Sequence, residues 1–107
     1  MSNIHVEVAD QLLQLEAELR RLGLWQAEAP PAEALASSQP FCVDTLTLPQ
    51  WLQFIFIPRM AGLVEAGGPL PEKCGTAPIA EEFFRGRDDG GRLIALLAEM
   101  DARLERG

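Results

Sequence analysis

Arg59 follows a proline directly after the most apolar stretch of the chain, Trp51–Ile57, a setting in which a charge needs something to meet it. A guanidinium offers a planar fork of donors suited to a carboxylate or phosphate, and Trp51 could supply an adjacent apolar wall. Upstream, Gln39, Phe41 and Asp44 set polar groups beside a large aromatic ring. Two uses of these five residues stand open. In the ordinary one, Pro58 kinks a helix around the core and Arg59 pairs with an acid such as Asp44. In the other, Arg59 faces a cleft and meets an anionic group of a ligand or partner. Trp51 and Phe54 divide the same way, between core packing and interface anchors.

Other reactive side chains form no catalytic pattern. Cys42 lies near Asp44, but a nucleophilic thiol needs a base, and the lone His5 is near a terminus expected to be mobile. Cys42 and Cys74 lack the CxxC spacing of zinc and redox sites. Glu81-Glu82 are neighbours that point to different sides of a helix, and Asp88-Asp89 read as an ordinary helix cap. No EF-hand spacing is visible. No catalytic residue, metal ligand or cofactor is therefore assigned, and a binding role is expected ahead of an enzymatic one.

The composition narrows the partners. The 107 residues carry 16 acids against 9 Lys and Arg, a net charge of −7, and the bases form no stripe. Since nucleic-acid affinity comes largely from basic groups displacing counterions, direct nucleic-acid binding is disfavoured. The apolar run ends at Pro58, far short of the ~20 residues that span a bilayer, and the first residues lack the pattern of a secretory signal. A cytoplasmic protein with no membrane segment is expected, with both thiols reduced. The length suits one domain, 1–107, with a real core.

Helices must position these residues. Val8, Leu12, Leu15, Leu19 and Leu22 recur at alternating spacings of four and three, so an amphipathic helix is predicted from Ile4 to Leu22, stopped by Gly23 and supported by Glu16 and Arg20. Trp25 to Val43, with three prolines, reads as a long ordered connection with one short helical turn, wrapped over the helices. Thr47 and Pro49 open a second helix that runs to Gly67-Gly68, and its apolar residues point in every direction, which predicts a central, enclosed helix. Thr76 and Pro78 start a short third helix ended by Gly86. Asp88 or Asp89 caps a fourth, whose stripe is Leu93, Leu97, Met100 and Leu104, with Glu99 and Arg103 as a supporting pair. No strand alternation appears. The fold expected is all-α, a compact four-helix bundle with a long ordered connection between the first two main helices.

The segments Gln39-Pro40-Phe41, Asp44-Thr45, Trp51-Leu52-Gln53, Ile57-Pro58-Arg59-Met60, Pro69-Leu70-Pro71 and Ala77-Pro78 together resemble the YqcC-like family of small bacterial proteins. The resemblance covers nearly the whole chain. It implies a compact helical fold and a family without an assigned function. Its members are often encoded beside a tRNA pseudouridine synthase, which suggests an accessory role in RNA modification.

The leading expectation is a protein-binding accessory module whose acidic surface favours a basic partner such as an RNA-modifying enzyme. The alternative is a small anionic-ligand-binding domain with a pocket near Trp51 and Arg59. Homo-oligomerisation through the faces of the first and last helices is a third.

Overall fold

Asn3 opens the first helix by accepting the amide of His5 at 2.9 Å, as a short polar cap residue does for amides that lack an intrahelical partner. The computed structural model describes residues 3–39, 41, 44–71 and 75–106. Cys42 and Cys74 lie outside them, so the expectations about thiols do too. Helix α1 spans Ile4–Arg21 and buries Val8, Leu12, Leu15 and Leu19, the stripe read from the sequence. Glu16 and Arg20 pair at 3.0 Å. Gly23 takes φ +74° where the chain turns, while the Leu24 amide returns to the Leu19 carbonyl at 2.9 Å, closing the last turn as a left-handed glycine permits.

The connection contains one helical turn, α2, Ala32–Leu35. The second main helix begins with a reciprocal capping box in which Thr47 and Gln50 exchange side-chain and backbone bonds. It is composite: α3, Leu48–Trp51; a π-helical turn, Leu52–Phe56; and α4, Ile57–Ala66, closed by Gly67 in the left-handed region. Helix α5 is Thr76–Phe83 and α6 is Gly91–Arg106. Among the described residues there is no strand, so the protein is an all-α bundle of four main helices.

Helix α6 packs against both α1 and α5, and α1 also carries α4. Leu93, Leu97, Met100 and Leu104 of α6 are fully or almost fully buried. The composite helix is less enclosed than its composition suggested. Leu48, Leu52, Phe56 and Met60 face the core, while Pro58, Arg59, Ala61, Gly62 and Glu65 are exposed.

Three local expectations give way to other contacts, two of them from distant parts of the chain. Thr76 is the first residue of α5 rather than its cap. The amides of Thr76 and Ala77 and the Thr76 hydroxyl all donate to the carboxylate of Asp101 on α6, at 3.3, 2.9 and 2.7 Å, placing negative charge at a helix N-terminus. Asp89 turns to Arg87 at 2.6 Å, and Gly90 precedes α6, accepting the Ile94 amide. A Cβ at Gly90 would lie 2.2 Å from Cγ of Phe84, so the glycine permits the close approach of that ring. Arg103 pairs with Glu7 on α1 instead of Glu99. His5 is also not loose, because its Nε2 lies 2.7 Å from the Gly68 carbonyl and ties the start of α1 to the end of α4.

Glu18 is the buried charge among the described residues, only 4% exposed, and it is met by Arg21 and, at 3.8 Å, by Arg92 from α6. The hydrogen bond from Arg21 holds its carboxyl below the ordinary value of 4.5, against the opposing effect of burial. A lowered folded-state pKa stabilises the fold above the unfolded value, and this contribution fades as pH falls through the folded one. Glu18→Gln should therefore lower the urea midpoint at neutral pH, with the gap to wild type closing below about pH 4.

Candidate functional site

The composite helix positions the site by its spacing. In a regular α-helix, residues four apart advance by about 40° beyond a full turn, so a strict four-residue row winds off its face. A π turn holds more residues per turn and takes up that drift. The π turn here is marked by the Ile57 amide, which bonds the Leu52 carbonyl five residues back. Rows of four then stay aligned: Leu48, Leu52, Phe56 and Met60 on the core, and Trp51, Ile55 and Arg59 on a separate face. Pro58 sits just beyond this turn, in the first turn of α4, where its missing amide hydrogen is tolerated.

The connection folds back over that second face. Gln53, 8% exposed, accepts the Gln26 amide at 2.8 Å and donates to the Gln26 carbonyl at 2.7 Å, clamping the chain after α1 onto the π turn. Further on, the Thr45 hydroxyl donates to the Ala34 carbonyl at 2.6 Å, and the Ser37 hydroxyl donates to Asp44 while accepting the Gln39 amide at 3.1 Å. Phe41 meets Trp51 edge to face, with centroids 4.9 Å apart, and Trp51 in turn leans on Phe56 at 5.1 Å. Phe41 holds φ +57°, a left-handed conformation that costs a bulky side chain free energy and that its packing against Trp51 helps to offset.

A cleft of about 370 Å³ results, lined by Leu35, Ser37, Gln39, Phe41, Trp51, Ile55 and Arg59. Four of the five residues singled out from sequence therefore line one cavity. Asp44 does not line it and is held one hydrogen bond away, behind Ser37. The expected Arg59–Asp44 pair is absent, and Arg59 is exposed with no ion pair among the described residues. The cleft combines an aromatic wall, a hydroxyl, an amide and an unpaired guanidinium. That set can recognise an anionic group attached to an apolar body, and it contains no nucleophile–base pair. Ile55, Ser37 and Leu35 were not anticipated; the repeat of Trp51, Ile55 and Arg59 at intervals of four was the signal for the first of these.

Other cavities differ in character. One, about 650 Å³, is a polar depression between α1 and α6 lined by Glu7, Asp10, Glu99 and Arg103 among others. No group of three or more His, Cys, Asp or Glu that could hold a metal is found among the described residues. None of their helices is long and apolar enough to cross a membrane.

A family model described as tRNA pseudouridine synthase C matches residues 7–103. An uncharacterised Escherichia coli protein, YqcC, is 40% identical over 97 residues, covering 91% of this chain and 87% of its own length. The chain belongs to the YqcC-like family. The solution NMR structure of Escherichia coli YqcC superimposes with a TM-score of 0.85 at 33% identity, covering 97% of this chain and 90% of that one. This YqcC-like chain is also 35% identical over 81 residues to a protein of Pectobacterium carotovorum named tRNA pseudouridine synthase C. There the match covers 76% of this chain but only 22% of the relative.

The pair of hydrogen bonds between Gln53 and Gln26 is what keeps the connection seated on the π turn. Gln53→Ala should cost about 1–3 kcal/mol, the range for leaving partly buried polar groups without partners. Amide exchange would show a loss of protection at Gln26, with Leu12 and Leu97 in the core retaining theirs.

Proposed function

We propose that this chain is a protein-binding accessory module for a tRNA pseudouridine synthase, acting beside the enzyme rather than as the enzyme. The observation that carries this reading is the Pectobacterium relative, in which a segment like this chain makes up 22% of a longer polypeptide bearing the synthase name. Covalent joining holds two modules at high effective concentration, and a specific contact between them needs a docking surface on this one. Charge favours the same arrangement. A net charge of −7 opposes direct contact with tRNA, yet suits docking on an enzyme whose surface is basic enough to hold RNA.

The Arg59 cleft is the contact we assign to that docking. An acidic side chain of the partner would meet the unpaired guanidinium while an adjoining apolar group rests against Trp51 and Phe41. A half-buried aromatic beside an exposed arginine is the composition of an interface hot spot. The unpaired Arg59 and the cleft volume of about 370 Å³ also suit a second reading, a small anionic ligand held in the same place.

Isothermal titration against the purified tRNA pseudouridine synthase of the same organism separates the two. Arg59→Glu, on an exposed residue that leaves the core intact, should weaken binding by about ten-fold or more, at least ~1.4 kcal/mol. Trp51→Ala should weaken it too, with some loss of stability because that ring also packs on the core. Full affinity in a folded Arg59→Glu variant would remove the cleft from the interface and leave it to the ligand reading.

A further inference from the structure

Helix α1 carries a second apolar line that its own core does not use. Val6, Ala9 and Leu13 lie about 120° around the helix from the buried stripe, given 3.6 residues per turn. Val6 and Leu13, 66% and 68% exposed, are the exposed large hydrophobic residues among the described ones. They are not scattered. Ala9, Leu12 and Leu13 face Ile57, Ala61 and Val64 of α4 across a groove of about 360 Å³. The groove adjoins a second depression through the shared residues Ala9 and Val64, and Val6 lines that extension. Small side chains at Ala9 and Ala61 keep its floor low.

The rim identifies the occupant. The charged residues lining the groove are Glu16 and Glu65. Glu16 is shared with Arg20, whereas Glu65 has no ion pair among the described residues. A second copy of this chain, at net −7, would bring the same acids against themselves if it docked through this face. A basic segment would not. From Val6 to Glu16 the face runs roughly 15 Å along α1, the length of about three helical turns. An amphipathic helix that lays its apolar side in the trough and its Lys or Arg residues over the rim matches that length, polarity and charge.

We propose that the groove between α1 and α4 receives a short amphipathic helix, flanked by basic residues, of the partner enzyme. This rests on the reading that the partner is a tRNA pseudouridine synthase, and it adds a second contact on a face of the composite helix different from the Arg59 cleft. The row Gln53, Ile57, Ala61 and Glu65, aligned by the π turn, supplies the α4 wall of the groove as well as the clamp on the connection.

The test is titration of the full chain with the purified synthase of the same organism at low and high salt, alongside light scattering of the chain alone. Leu13→Glu and Ala61→Glu, both at exposed positions, should keep the wild-type circular dichroism and weaken binding by about ten-fold or more. Glu65→Lys should weaken binding at low salt and flatten its salt dependence. Wild-type affinity in both groove variants overturns the groove assignment while the accessory reading stands. A wild-type chain that binds no synthase defeats that reading and the groove with it. Self-association abolished by Leu13→Glu would make the occupant a second copy and contradict the proposal.

Discussion

A proline inside a helix removes one amide donor and presses its ring against the carbonyl four residues back, a penalty of about 3 kcal/mol relative to alanine in a regular interior. Pro58 imposes that constraint on the longest helical unit between the two amphipathic helices, and the local geometry answers it. The helix widens into a π turn over Leu52–Phe56, and Pro58 falls in the first turn of the segment that resumes. Much of the molecule's surface organisation depends on this adjustment, because it alters how many residues make a turn and hence which side chains share a face.

Once residues four apart stay in line, the composite helix divides its work among four sides. Leu48, Leu52, Phe56 and Met60 join the core. Trp51, Ile55 and Arg59 form one wall of the cleft, and Ile57, Ala61 and Glu65 form one wall of the groove. Pro58 and Gly62 are left to solvent. Gln53 spends its polar group on the backbone of Gln26, which fixes the start of the connection and with it the cover over Trp51. Around this helix, α1 and α6 supply a conventional bundle core of leucines, tied together by Glu7–Arg103 and by Glu18 with Arg92.

What the sequence made legible follows the range of the interaction. The stripes of α1 and α6, the glycine stops after α1 and α4, and the Thr47 cap are all written within a few residues, and each is found where it was expected. Thr76 and the acids before α6 were read by the same local rules and differ, because Asp101 caps α5 from 25 residues away and Arg87 takes Asp89. Arg59 was recognisable as an anomaly, and Gln39, Phe41 and Trp51 do gather around it. Its lack of an acid partner could not be read from composition, since Asp44 was equally available and is drawn instead to Ser37. The π turn was hidden by treating 48–66 as apolar on every side. Its trace was the repetition at intervals of four, which a 3.6-residue helix does not sustain over three turns. The groove was visible only as two apolar residues, Val6 and Leu13, lying off the α1 stripe.

The claim on which these relations rest is the hydrogen-bond register before Pro58. Through-bond scalar couplings measured across the backbone hydrogen bonds of the isotopically labelled protein report which carbonyl each amide uses. The Ile57 amide should couple to the carbonyl carbon of Leu52 in the wild type, and to that of Gln53 in Pro58→Ala, where an ordinary turn can form. Coupling of Ile57 to Gln53 in the wild type, or an unchanged partner in Pro58→Ala, would contradict the assignment of the π turn to the proline and the alignment of faces derived from it.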